Sequence, residues 1–410
     1  MSIYINEILI HRLLDKKGLK IQAADGGQLH HFIVTGPNGA GKTTLFNSIA
    51  ESLDLMFQDT SFNYNEFKKN LELNRGWLSK AKQEGNIEKI QKFTQIVDFY
   101  QNQCEKLWGT VELSGLNYPE IFTMARNHQY VIAFFGAERL SHFIEVKSPE
   151  KPDLTQNVLR SSKTEEFIKF LVDLKFQQAM ANNEGNKDDV EKIDKWFKDF
   201  ENILKKLFSD DGLRLSFDYK KYIFYIEKTE GCFSLADLSD GYSSALDIVA
   251  DIILKMQDGN NVVRSYDVPG IVFIDEIETH LHLKLQRDIL PFLTTLFPKI
   301  QFFVTTHSPF VLNSIKNAVV YDLKEQKPIT DLSDYSYEII AEGYFGVKTE
   351  SDKLVRHIER LKWLIENPHR TTTEEETLQS LIRDFETLPD IVAPEIKAQY
   401  HELMISYKSK

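Results

Sequence analysis

Eight residues near the start of the sequence have the spacing of a phosphate-binding loop. They read GPNGAGKT, from Gly36 to Thr43, and match the pattern GxxxxGK[ST] at each fixed position. Glycines let backbone N–H groups turn inward around phosphates, while Lys42 supplies a positive charge and Thr43 a hydroxyl for Mg²⁺. The sequence therefore predicts a site for ATP and Mg²⁺, with nucleotide-binding residues Gly36, Pro37, Asn38, Gly39, Ala40, Gly41, Lys42, Thr43 and Thr44.

A second motif places two carboxylates at the end of an apolar strand. Residues 270–276 read GIVFIDE, so Asp275 would join Thr43 in binding the metal while Glu276 polarises the attacking water. The alternative is a pair of acids that merely caps a loop. Burial of paired carboxylates without a cation is costly, which favours the catalytic interpretation.

Two further motifs are weaker when taken alone. His307 follows the apolar run IQFFVTT, where it would contact the γ-phosphate, although a lone histidine is more often structural. LSDGYSS, residues 238–244, precedes an amphipathic helix, so Ser239 and the backbone at Gly241 would face an anion. An ordinary helix cap would have the same sequence.

In this order the four motifs resemble those of the ABC-type ATPases, as Walker A, signature loop, Walker B and switch histidine. The residues ETHLH after Walker B, Glu278 to His282, look like those of the OLD-like group (AAA_15/AAA_21), which is similar to SMC and RecF proteins. Asp240 and Tyr242 depart from the usual signature. The segment FGAER, ending at Arg139, stands where the family's Q-loop is expected, and His11–Arg12 stands where related chains often carry a basic residue that reaches the nucleotide.

The resemblance implies an α/β fold, an ABC-ATPase head in which a P-loop NTPase sheet is joined by an antiparallel β-subdomain, a helical lobe and a helical insertion. It also implies a homodimer or higher homo-oligomer that hydrolyses ATP. Ser239 and Gly241 of one copy would act in trans on ATP held by the other, with Glu276 and His307 as catalytic residues.

Elements that would position these motifs divide the chain into six segments. A strand at 30–35 leads into the phosphate loop and a helix follows it, while helical stretches broken near Gly85 and at NNEGNKDD (182–189) would form the insertion and the lobe. Strands are also predicted at 2–10 and 19–23, a hairpin at 213–228, and a capped helix start at TTTEEETLQSL. The predicted segments are 1–57, 58–128, 129–150, 151–212, 213–347 and 348–410.

The lengths of the segments between and after the motifs distinguish this chain from two of the protein groups that it resembles. Too few residues separate Thr43 from Leu238 for the long coiled-coil arms of SMC proteins, and the stretch after Gly346 is too short for the Toprim nuclease of OLD proteins. The chain thus looks similar to ATPase subunits of bacterial anti-phage systems such as PARIS and Septu, with a separate effector, a nuclease or toxin. The alternative is a RecF-like or SMC-like ATPase that binds DNA for repair or recombination, through Lys16, Lys17, Lys220 and Lys221.

Composition sets the remaining bounds. A net charge of -12 argues against general attraction to nucleic acid, although a local basic groove would be compatible with it. No apolar run reaches the roughly eighteen residues of a membrane span, and charges interrupt the first residues where a signal peptide would be apolar, so we expect a cytoplasmic protein. Cys104 and Cys232, far apart and outside any CxxC pattern, are expected to be buried free thiols.

Overall fold

The computed structural model describes residues 3–23, 29–58, 64–139, 143–154, 159, 163–229, 231–257, 266–329, 332, 335–345, 352–388 and 394–408. The chain forms two compact units, Met1–Asp334 and Tyr335–Lys410. The finer division into six segments stays a prediction. Elements of the first unit are, in chain order, β1 (Glu7–Leu13), β2 (Lys16–Gln22), β3 (His31–Thr35), α1 (Lys42–Gln58), α2 (Tyr64–Glu84), α3 (Ile87–Trp108), β4 (Val111–Ser114), α4 (Tyr118–Arg126), β5 (Val131–Phe135), α5 (Thr164–Glu184), α6 (Lys187–Phe208), β6 (Arg214–Asp218), β7 (Ile223–Lys228), β8 (Gly231–Ser234), α7 (Asp240–Met256), β9 (Gly270–Ile274), α8 (Leu283–Leu296), β10 (Ile300–Thr305), α9 (Pro309–Leu312), β11 (Ala318–Asp322) and β12 (Lys327–Ile329).

A six-stranded sheet forms the centre of the first unit, in the order β12-β11-β3-β10-β9-β5. All its neighbouring strands are parallel except β12, which is antiparallel to β11. Strands β3, β5, β9 and β10 are buried along their whole length, as their continuous apolar runs require in a sheet covered on both faces. Because carboxyl ends of parallel strands meet at one edge, the chain segments after β3, β9 and β10 converge there.

Two small antiparallel sheets accompany the central one, with strand orders β2-β1-β4 and β6-β7-β8. The predicted α/β fold with a parallel sheet and antiparallel strands is confirmed. The strands predicted at 2–10 and 19–23 are shifted, because β1 and β2 form one hairpin, with Leu13 paired to Lys16. Strands β4 and β8 were not predicted, since each is short and takes its place from pairing with β1 and β7 respectively.

The helical stretches break where glycine allows it. Helices α2 and α3 meet at Gly85 (φ +67°), and α5 and α6 meet at Gly185 (φ +75°). In both turns the next residue caps the following helix: Asn86 accepts the N–H of Lys89, and Asn186 accepts the N–H of Asp189. Both predicted breaks are confirmed.

Helix α7 lies in the interior. Nearly all of it is buried, including the charged residues Asp247, Asp251 and Lys255. Asp251 accepts the backbone N–H of Lys163 at 3.0 Å and lies 3.4 Å from Lys255, and Thr164 donates its hydroxyl to Asp247. Burial of these charges is tolerated because each has a hydrogen-bonding or ionic partner.

The second unit is helical, with α10 (Tyr337–Gly343), α11 (Asp352–Glu366), α12 (Thr372–Thr387) and α13 (Pro394–Lys408). Leu361, Leu378, Phe385 and Tyr400 contribute to its own apolar core. Thr371 and Glu374 form a reciprocal capping box at the start of α12, which confirms the predicted capped start.

No helix among the described residues is long and apolar enough to cross a membrane. The prediction that both cysteines are buried is wrong for Cys232, which is exposed on β8, the last strand of its sheet in the part of the chain that the structure describes. Cys104 is partly buried, and both thiols are free.

Candidate nucleotide site

The phosphate loop has a backbone shape that only glycine adopts easily. Gly36, Gly39 and Gly41 have φ values of +137°, +80° and +99°, which side chains with a Cβ atom rarely reach. The loop connects β3 to α1, whose first residue is Lys42. Pro37, Asn38, Gly39, Thr43 and Thr44 are exposed. The predicted loop thus presents exposed residues and a helix N-terminus at the carboxyl edge of the sheet.

Lys42 is buried within this loop, with 5% of its surface exposed. Its Nζ donates hydrogen bonds to the carbonyl oxygens of Gly36 at 2.9 Å and Pro37 at 3.3 Å. Burial lowers the pKa of Lys42, and four carboxylates oppose that shift, those of Glu276, Asp275, Glu278 and Asp322. The lysine therefore places a positive charge close to four carboxylates.

The hydroxyl of Thr305 holds the two acids that follow β9. It donates to Asp275 Oδ1 at 2.5 Å and accepts the backbone N–H of Glu276 at 2.7 Å. Asp275 is 1% exposed, whereas Glu276 is partly exposed. The buried acid is thus fixed and the second acid can reach a solvent molecule, as the assigned roles would require.

Glu276 has a left-handed backbone, with φ +46°. This conformation costs about 1–3 kcal/mol in a residue other than glycine and persists only where neighbouring groups impose it. Thr279 donates its hydroxyl to Glu276 Oε2 at 3.3 Å. The backbone of this turn therefore directs the Glu276 side chain.

A hard donor set for Mg²⁺ is present at this edge. Asp275 and Thr43 offer carboxylate and hydroxyl oxygens, which Mg²⁺ prefers together with phosphate oxygens and water. No group of three or more His, Cys, Asp or Glu side chains that could hold a metal occurs in the part of the chain that the structure describes. The oxygen ligands of Asp275 and Thr43 fit a Mg²⁺ ion held jointly with nucleotide phosphates and water.

His307 follows β10 and is half-buried beside these acids. Burial and the charge of Lys42 lower its pKa, while Glu276 and Asp275 act in the opposite direction. Its backbone N–H donates to Glu278 Oε1 at 2.5 Å. Burial raises the pKa of Glu278, whose Oε2 is buried without a hydrogen-bond partner among the described residues. Burial and the nearby charge of Lys42 thus both favour the neutral form of the His307 imidazole.

The signature loop lies at the start of α7, where Ser239 is exposed and is the N-cap residue, without a side-chain capping bond. A Cβ atom on Gly241 would lie 2.9 Å from the carbonyl oxygen of His280, so glycine permits close packing of α7 on the segment after Glu276. Tyr242 stacks on Phe208 with ring centroids 4.2 Å apart. Tyr242, which replaces the residue usual in signature loops, therefore packs within its own chain.

No hydrogen bond or ion pair in the described ranges joins Ser239 or Gly241 to residues 36–44. His11 pairs with Glu112 at 3.1 Å. Among the proposed DNA contacts, Lys16 is only 4% exposed, so burial argues against that role for it.

Two contributors to the site were missed from sequence. One is Thr305, whose only signal is its position two residues before His307. The other is the contact network of Arg139, since FGAER indicated a location but no partners. Arg139 is 7% exposed and donates to backbone carbonyls directly after β9, including that of Asp275 at 2.8 Å. Contacts between residues so distant in sequence leave no local pattern.

The sheet order, the phosphate loop and the paired acids resemble those of P-loop ATPase domains. Residues 138–313 match a family model described as "AAA domain, putative AbiEii toxin, Type IV TA system". The matched range contains Arg139, the signature loop, both acids and His307.

Three curated relatives extend this result. The chain is 24% identical over 390 residues to Septu protein PtuA of Bacillus mycoides (strain KBAB4), covering 92% of this chain and 50% of that protein. It is 24% identical over 421 residues to the probable ATPase of retron Vc95 from Vibrio cholerae serotype O1 biovar El Tor, covering 87% and 78%. It is 41% identical over 100 residues to the probable ATPase of retron Ec83 from Escherichia coli, covering 24% and 18%.

Residues 138–313 thus resemble an ATPase domain of the AAA kind, and the chain is similar to Septu PtuA and to the retron ATPases; the predicted resemblance is confirmed to that extent. The chain spans half the length of the Bacillus mycoides relative. Among solved structures, an Smc head bound to the C-winged helix domain of ScpA matches with a TM-score of 0.37 and 12% identity, covering 81% of this chain and 100% of that one.

Proposed function

We propose that this chain binds ATP with Mg²⁺ and hydrolyses it, and that the site is completed by a second copy. The observation that supports hydrolysis most is the Thr305 hydroxyl, which fixes buried Asp275 and the backbone of Glu276 together. A buried acid for the metal beside a more exposed acid for water is the arrangement that phosphoryl transfer to water needs.

Different residues of the site have different roles in ATP binding and hydrolysis. Lys42 and the N–H groups of the phosphate loop bind the phosphates, and Thr43 and Asp275 would hold Mg²⁺, which supplies charge neutralisation when bound. Glu276 orients the attacking water and accepts its proton. His307 donates a hydrogen bond to the γ-phosphate, a role that suits the neutral imidazole favoured by its lowered pKa.

The second copy supplies the signature loop. Ser239 is exposed and is not joined to the phosphate loop of its own chain by any hydrogen bond among the described residues. In the proposed assembly, Ser239 and Gly241 of one copy close over ATP bound to the other, in a homodimer or a higher oligomer. ATP bound between two copies contacts both and so stabilises the joined state, and loss of the γ-phosphate removes that contact.

The switch acts on a separate effector protein, a nuclease or toxin, in bacterial defence against phage. Support comes from the relatives, which are Septu and retron proteins. The DNA-binding alternative has less support because one of its four proposed contacts, Lys16, is buried, although Lys220 and Lys221 are exposed.

ATP turnover and ATP binding, measured on the same preparations, test the hydrolytic role. Glu276→Gln is expected to bind ATP normally and hydrolyse it about 10²–10⁴-fold more slowly, because the general base is lost. Lys42→Ala is expected to lose ATP affinity, with the exposed Lys147→Ala as a matched control. Normal turnover by Glu276→Gln would contradict the assigned base.

The effector role needs a different experiment. Tagged chain is purified with the products of neighbouring genes, and the complex is assayed for nuclease activity with and without ATP. Co-purification of an effector whose activity depends on ATP is expected. Tight, ATP-dependent binding of duplex DNA by the chain alone would instead favour the DNA-binding alternative.

A further inference from the structure

The guanidinium of Arg139 binds three successive backbone carbonyls. Nη1 donates to Asp275 O at 2.8 Å, and Nη2 donates to Glu276 O at 2.8 Å and Ile277 O at 3.3 Å. Nη1 also binds Gly136 O at 3.1 Å, next to the arginine's own position in the chain. The carbonyl dipoles of residues 275–277 therefore converge on one buried cation, as they would on a bound metal ion.

This convergence explains how an unfavourable backbone is maintained. Glu276, with its φ of +46°, lies in the middle of the three residues whose carbonyls Arg139 binds. The orientation of its peptide groups sets the direction of its Cα–Cβ bond, and hence where its carboxylate can reach. Without the guanidinium, the turn could relax towards an ordinary conformation and carry the carboxylate away.

The same side chain also reaches the signature helix. Arg139 Nε donates to Ser244 Oγ at 3.1 Å, and Ser244 lies in α7 little more than a turn after Ser239. A second contact lies beside it, where Gly241 packs on the carbonyl of His280. The first turns of α7 are thus joined to the segment after β9 at two points.

We propose that Arg139 is a positioning residue for ATP hydrolysis, which holds Glu276 in its reactive orientation and joins that turn to the signature helix of the same chain. This inference rests on the proposed function. It adds that two parts of one chain move together: the signature loop, which contacts the partner's ATP, and Glu276, the general base for the chain's own ATP. A lysine cannot substitute, since an ammonium lacks the planar set of donors that meets four carbonyls and a hydroxyl at once.

The test measures kcat, KM and ATP affinity for Arg139→Ala and Arg139→Lys. Both variants are expected to bind ATP with little change, while kcat falls on the order of 100-fold, as for an ångström-scale misplacement of a reacting group. Guanidinium ion at non-denaturing concentration is expected to restore part of the kcat of Arg139→Ala, and methylammonium is not. A kcat close to wild type, or a loss of ATP affinity that accounts for the whole defect, overturns the proposal.

Ser244→Ala provides a milder variant in case Arg139→Ala does not fold. It removes one neutral hydrogen bond and leaves the carbonyl contacts, so kcat is expected to fall about fivefold at unchanged affinity. Wild-type kcat in Ser244→Ala contradicts the link to α7.

Wild type and Glu276→Gln are assayed alongside these variants. Absence of turnover in the wild type would refute the proposed ATPase function itself. Turnover that depends on Glu276 but not on Arg139 would refute only the present inference.

Discussion

The hydroxyl of Thr305 lies 2.5 Å from Oδ1 of Asp275, and both residues are buried at the carboxyl edge of the central sheet. This contact joins β9 to β10, which pair in parallel. Because the same oxygen accepts the Glu276 N–H, one hydroxyl orients the metal-binding acid and the start of the turn that carries the base.

Thr305→Val is expected to impair turnover and stability, because it keeps the shape but removes the hydroxyl. A buried carboxylate and a backbone N–H would each lose a partner, which costs about 1–3 kcal/mol of unfolding free energy for each unsatisfied group. Thermal or denaturant unfolding and ATP turnover measure these effects. Thr305→Ser, which retains the hydroxyl, should keep most of both, and equal damage by the two substitutions would show that the hydroxyl is not the reason.

Gly241 tests the packing of α7 on the turn after β9. Gly241→Ala would place Cβ 2.9 Å from the carbonyl oxygen of His280, a backbone atom that cannot move aside easily. We expect a loss of about 1–3 kcal/mol in unfolding free energy from this overpacking, together with slower turnover.

Gly76 offers the matched control, since it lies exposed within α2 and a Cβ there would meet no atom within 4 Å. Gly76→Ala is expected to raise the unfolding free energy by about 0.5–1 kcal/mol, because alanine is the better helix former. Denaturant unfolding of both variants measures the contrast. A Gly241→Ala protein as stable as Gly76→Ala would contradict the close approach.

Because of His31, the unfolding free energy is expected to decrease as the pH is lowered. Burial, and to a smaller extent His30, lower its pKa to about 4, and its Nδ1 accepts the N–H of Phe302 at 3.2 Å. The unfolded chain therefore binds a proton at higher pH than the folded one, so unfolding free energy decreases as pH falls from about 6.5 to about 4. The loss would approach about 3 kcal/mol at the acid end of this window.

His31→Asn tests this origin, because its amide oxygen can accept the same N–H without titrating. Unfolding free energies between pH 7 and pH 4 should fall less steeply for this variant than for the wild type. Parallel curves would show that other groups cause the acid sensitivity.

Sequence reasoning succeeded where function depends on neighbours in the chain. The glycine spacing around Lys42, the apolar run before Asp275 and the glycine breaks at Gly85 and Gly185 are local features, and each predicted its element. Sequence reasoning failed where two segments that are distant in sequence meet. Strand β4, for example, pairs with β1 although helices α2 and α3 lie between them in the chain. The carbonyl contacts of Arg139 and the stacking of Tyr242 on Phe208 are of the same kind.

Mixing two inactive variants tests the central claim, that the site is shared between copies, most directly. Lys42→Ala removes the phosphate-loop charge, and Ser239→Arg blocks the exposed signature serine, with the exposed Ser148→Arg as its control. Each inactive variant alone should turn over little ATP, yet an equal mixture should recover about a quarter of wild-type turnover, since half of randomly formed dimers contain one intact composite site out of two. Full turnover by Ser239→Arg alone, or a mixture no more active than its components, would contradict the account.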